Sequence, residues 1–131
     1  MTGLIEVRAA ELAGEALGWA VGKTEGLDVF LAAPEYGNPW RVFARYRGQA
    51  TEHTKRYNPW EDWALGGLLI EHHMVSLHCP QSTDDVWAGW VITEIGKYCR
   101  AGDSALIAAC RAIVSAKLGD TVEMPKELTS G

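Results

Sequence analysis

The densest run of residues able to do chemistry lies between positions 57 and 71. There Tyr57, Trp60 and Trp63 supply aromatic surface, and Asp62 and Glu71 supply carboxylates. Gly66-Gly67 allows a sharp turn or a close backbone approach. Trp60 and Trp63, three apart, would meet on one side of a helical turn. Asp62 falls in that turn, where a carboxylate can accept backbone N–H groups. With the Arg111 guanidinium held against Glu71, the set would enclose a polar pocket with an aromatic wall, suited to a small polar ligand or a peptide end. The same residue types also build a plain structural corner, with Trp63 plugging the core, Asp62 capping the helix and Glu71 paired with Arg111. An enzyme would use Asp62 and Glu71 as acid and base beside Arg111. The glycine break between the two carboxylates leaves their separation undetermined. No GxSxG elbow, P-loop or GxGxxG occurs, which removes the commonest nucleophile and nucleotide signatures.

A second constellation is basic. Arg41, Arg45, Arg47, Lys55 and Arg56, with Trp40, Tyr46 and Tyr57 interleaved, could contact a nucleic-acid backbone and stack bases. Residues 41–56 carry these five basic groups against Glu52, a local charge of +4, so the rest of the chain holds −9 to reach the total of −5. A polyanion is repelled by most of that surface. A solvated strand face balanced by neighbouring acids is the alternative.

His72, His73, His78 and Cys79 invite a metal reading. Adjacent residues project in different directions on a helix or a strand, so at most two of the four converge without an outside ligand. A zinc site usually needs three or four, and no metal or cofactor is expected. Cys79, Cys99 and Cys110 form no CxxC pair. With no signal segment at the N-terminus, they read as reduced thiols of a cytoplasmic protein.

The 131 residues, 47% hydrophobic and 22% charged, suit one globular domain with a real core. No apolar run approaches the ~20 residues of a membrane helix. Strands are expected at 4–7, 27–33, 40–47, 74–79 and 86–94, the last also compatible with a helical period. In 40–47, Val42 and Ala44 share a face with Trp40 and Tyr46, and Arg41, Phe43, Arg45 and Arg47 share the other. Helices are expected at 10–25, near Trp60 with a bend or stop at Gly66-Gly67, and at 104–118 with Asp103 or Ser104 as N-cap and Gly119 as terminator. Gly14, Gly18 and Gly22 line the polar side of the first helix, a weak face or one smooth enough for another helix or subunit. Residues 48–56 read as a mobile loop and 119–131 as an extended tail. Together these give an α+β domain, one antiparallel sheet of about four to five strands with two main helices and a short one on one face. Six tryptophans are hard to hide in so small a protein, so at least one of Trp40, Trp60 and Trp87 should be partly exposed.

Two stretches resemble the NinX-like family of small phage and prophage proteins. Tyr57-Asn58-Pro59-Trp60-Glu61-Asp62-Trp63-Ala64-Leu65-Gly66-Gly67-Leu68-Leu69-Ile70-Glu71 looks like the family's aromatic-x-Pro-x-x-Asp-Trp-Ala-x-Gly-Gly-x-x-Ile-Glu signature. Leu106-Ile107-Ala108-Ala109-Cys110-Arg111 looks like its C-terminal helix, followed here by Leu118-Gly119-Asp120 and Val122-Glu123-Met124-Pro125. Leu68 stands where the family often has Pro, and Cys110 where it has Met. The resemblance implies a phage or prophage origin in a bacterial cytoplasm and no particular activity. The resulting expectation is a non-enzymatic accessory protein that binds a macromolecule through 57–71, with self-association as a homodimer left open. A nucleic-acid factor using 41–57 stands second and a small-molecule enzyme third.

Overall fold

The computed structural model describes residues 3–48 and 50–129. In chain order its elements are β1 (Leu4–Arg8), α1 (Gly14–Thr24), β2 (Asp28–Ala32), β3 (Arg41–Arg47), β4 (Glu52–Arg56), α2 (Trp63–His72), β5 (Ser76–His78), β6 (Trp87–Thr93), β7 (Gly96–Gly102), α3 (Ala105–Leu118) and β8 (Thr121–Pro125). The fold is α+β and all strand pairing is antiparallel. The strands are spread over three small sheets, β1-β8, β2-β3-β4 and β5-β6-β7, where one larger sheet was expected. Helices α1 and α3 pack on each other, the β2–β4 sheet leans on α1, and the β5–β7 sheet lies on α3. Both faces of the helical pair are thus covered, and no single sheet has to carry the core.

Helix α3 is the best-buried element. Leu106, Ala109, Cys110, Ile113 and Val114 fill the apolar stripe, and the small Ala108 and Ala112 are buried beside it. Ser104 is the N-cap, its hydroxyl accepting from Ile107 N–H at 3.2 Å, and Gly119 ends the helix at φ +99°. Small residues let the sheet come close: a Cβ on Gly89 of β6 would lie 2.8 Å from the Ala108 carbonyl oxygen.

Three local expectations change. The helix expected at 10–25 is broken, with a 3₁₀ turn over Ala9–Glu11, extended backbone at Leu12 and Ala13, and α1 starting at Gly14. Leu12 leaves the helical path to enter the core, and Arg111 Nε donates to its carbonyl at 2.7 Å, satisfying the acceptor that the break frees. Residues 52–56, read as loop, form edge strand β4. Its five polar side chains show no apolar alternation, as befits an edge, and its register is set by β3 alone. Helix α2 continues unbroken through Gly66-Gly67 and does not stop there. Residues 121–125 of the stretch read as an extended tail form β8, where Val122 and Met124 face the core and β1 supplies the partner strand. Strand β7, with a glycine at each end, had no sequence reading, and 86–94 resolves as strand β6. Trp40, Trp60 and Trp87 are all half-buried, as expected of at least one of them.

Candidate functional site

Asn58 opens the segment 57–71 with a turn, its carbonyl accepting from Glu61 N–H and Asp62 N–H. Asp62 then caps α2, its carboxylate accepting from Ala64 N–H at 2.9 Å. Tyr57 is buried and Trp60 half-buried, and both seat on the glycine side of α1. A Cβ on Gly18 would lie 2.4 Å from Trp60 Cζ3, and one on Gly22 would meet Val29 Cγ1 at 2.4 Å with the Tyr57 ring beyond. The smooth face read from Gly18 and Gly22 is therefore filled by the chain itself. Burial, and after it the nearby Glu25 charge, push the Tyr57 phenol well above its ordinary range, with Tyr46 and Cys110 adding to the effect.

The remaining members point elsewhere. Trp63 does not plug the core; it is 59% exposed on the outside of α2. Gly66 is pressed against Leu106 of α3, whereas Gly67 has only the Trp63 ring within reach. Glu71 is exposed, and Arg111 donates from Nε to Leu12 O and from a terminal nitrogen to Ala101 O at 2.9 Å. Among the described residues no ion pair joins Glu71 to Arg111. The structure thus unites Tyr57 and Trp60 with α1 and Gly66 with α3, turns Trp63 and Glu71 outward, and gives Arg111 a backbone-tying role.

What this leaves on the surface is apolar. From Trp63 to Ile70 helix α2 carries no charged side chain, and its outer side exposes Ala64 and Leu68 (67%) together with Trp63. An amphipathic surface helix would place polar groups there.

The basic residues gather on the outer face of the β2–β4 sheet. Phe30 and Phe43 are register partners and stack at 5.9 Å between centroids. Guanidinium groups lie over them: Arg45 over Phe30 at 4.5 Å, and Arg41 and Arg56 over Phe43 at 5.5 and 5.8 Å. Most of this charge is already answered. Arg45 and Arg47 each reach both Asp28 and Glu52, at 3.2–3.6 Å. Arg56 forms a fork with Glu15 at 2.8 and 2.7 Å, and Glu15 also accepts from Val42 N–H. Lys55 is exposed on the edge strand. Phe30, Asp28 and Glu15 escaped the sequence reading because only the β2–β3 register and the α1 contact bring them to this face.

Of the residues weighed for metal, His78 stands against the Trp90 ring at 6.2 Å and Cys79 is exposed. His72 and His73 meet Glu25, an outside ligand 47 or more positions away in sequence.

The family model described as Bacteriophage P22, NinX matches residues 8–117, most of the length. No curated protein matches the chain.

Proposed function

The chain belongs to the bacteriophage P22 NinX family, and from that premise we propose that it is a non-enzymatic accessory protein that binds another protein through the outer side of α2. The carrying observation is the exposure of Trp63 and Leu68 on a helix with no charge between 63 and 70. Covering a leucine of this kind contributes about 1.5–3 kcal/mol, and tryptophan is the side chain most often found at binding hot spots. Asp62 is engaged as a cap and Arg111 as a backbone clamp, which leaves docking as the better use of the segment. The test is photo-crosslinking from position 68 in host cells carrying the phage. A discrete adduct that disappears on Trp63→Ala supports the reading, and sedimentation of the purified protein shows whether the partner is a second copy. Absence of any adduct together with a strictly monomeric protein refutes it.

A second reading has its own support in the Phe30–Phe43 pair bracketed by Arg41, Arg45 and Arg56, an arrangement able to stack bases and hold phosphates. It ranks lower because Asp28, Glu52 and Glu15 neutralise most of the face and the net charge is −5. Single-stranded oligonucleotide binding that falls steeply with salt and is lost in an Arg45→Ala, Arg47→Ala double variant would raise it to first place.

A further inference from the structure

The carboxylate of Glu25 and the imidazoles of His72 and His73 each place a donor atom within 4.8 Å of the other two. These residues stand where two helices finish. Glu25 is the C-cap of α1 and His73 that of α2, and the two ends are closed alike. In α1, Gly26 N–H donates to Lys23 O and Leu27 N–H to Gly22 O; in α2, Met74 N–H donates to Glu71 O and Val75 N–H to Ile70 O. Each closure needs a left-handed residue, Gly26 at φ +69° and Met74 at φ +51°. Helix C-termini carry partial negative charge. Two of them beside a carboxylate make this junction favour a cation.

The geometry of the side chains fits the same chemistry. His73 Nε2 lies 2.8 Å from Glu25 Oε2, and the two side chains are only 8% and 18% exposed. The Thr24 hydroxyl, whose proton goes to the Val21 carbonyl oxygen at 2.7 Å, lies 3.2 Å from that carboxylate oxygen. The His72 ring stands edge-on to that of His73, centroids 4.8 Å apart, and is exposed. A groove bordered by His72, His73, Ile92, Glu94 and Lys117, with one carboxylate and one ammonium among its lining side chains, gives access.

We propose that Glu25, His72 and His73 bind one divalent transition ion of the zinc, cobalt or nickel kind, with water completing the coordination. Two imidazole nitrogens and one carboxylate oxygen suit these ions, whereas magnesium and calcium need all-oxygen sets. Ligand atoms about 2.0–2.2 Å from a tetrahedral ion lie roughly 3.4 Å from one another. The Glu25–His73 contact therefore opens slightly, the exposed His72 swings in by on the order of 1 Å, and the ion replaces the proton that joins Glu25 to His73. Bound there, it clasps the end of α2 to the end of α1, whatever docks on the outer side of α2.

Metal-stripped protein titrated with zinc chloride and cobalt chloride tests this. The expected result is one ion per chain, a visible cobalt absorption band typical of low coordination number, and a rise in Tm with zinc but not with magnesium. His72→Ala and Glu25→Gln should each weaken uptake at least ~10-fold, while a His78→Ala, Cys79→Ser double variant binds as wild type. His72 is exposed, so its variant remains informative if His73→Ala does not fold. No saturable uptake at about 0.1 mM ion, uptake that survives both His72→Ala and Glu25→Gln, or uptake lost with His78 and Cys79, would overturn the proposal.

Discussion

Alanine placed singly at the two adjacent glycines of α2 should give two proteins of clearly different stability, Gly67→Ala the more stable. Both positions are interior to the same helix, so each substitution gains about 1 kcal/mol of helix propensity. At Gly67 nothing opposes the gain, because the new methyl would find only Trp63 Cε3, at 3.9 Å. At Gly66 it would lie 2.5 Å from Leu106 Cδ2 and 2.6 Å from the Pro59 carbonyl oxygen. Leu106 is buried at 3% exposure and the carbonyl is backbone, so the α2–α3 contact must open. Overpacking of this kind costs about 1–3 kcal/mol or more. Gly67→Ala is thus expected to be about 1 kcal/mol more stable than wild type, and Gly66→Ala less stable than Gly67→Ala by about 1–3 kcal/mol, the shared propensity cancelling. For a chain of this length that gap is roughly 4–12 °C in Tm, readable by calorimetry or by urea melts. If Gly66→Ala proves as stable as Gly67→Ala, the packing of α2 against α3 described above is mistaken.

Glu15→Ala should cost about 2–3 kcal/mol by urea denaturation, since it strands the Arg56 fork and the buried Val42 N–H, and Glu15→Gln, which keeps an acceptor, about 1 kcal/mol. Met74→Gly should stabilise the protein by about 1 kcal/mol, because a side chain in the left-handed region is strained and this one is exposed. Burial pushes the Cys110 thiol from its ordinary 9.0 up to about 12. Below pH 9 both folded and unfolded chains keep that proton and the contribution is full. Between about 9 and 12 only the unfolded chain ionises, so stability should fall by up to about 1.4 kcal/mol per pH unit, and a Cys110→Ala variant should show a flatter decline. In the native protein at pH 8 a thiol reagent should modify the exposed Cys79 promptly and leave Cys110 untouched until unfolding.

The parts of this protein legible in its sequence are those whose signal is local. The α3 stripe from Leu106 to Val114, its Ser104 cap and Gly119 terminator, the alternation of Val42 and Ala44 against the arginines, and the capping role open to Asp62 all follow from period and from residue types a few positions apart. The family signature at 57–71 is likewise a matter of adjacent residues. Polar β4 and glycine-bounded β7 carry no such period, because their partners hold them in place rather than their own side chains.

The partnerships between distant residues were decided by packing alone. Glycines 18 and 22 look like an exposed, weakly helical face until Trp60 and Tyr57 are laid on them. Arg111, a natural mate for Glu71 on paper, is drawn instead to the carbonyl freed where Leu12 turns into the core. Glu25 reaches His73 only because two helices end at the same place. One-dimensional order states which side chains a helix or strand shows on each face. Which of those faces meet depends on how three small sheets and three helices share one interior, and that is a property of the assembled chain.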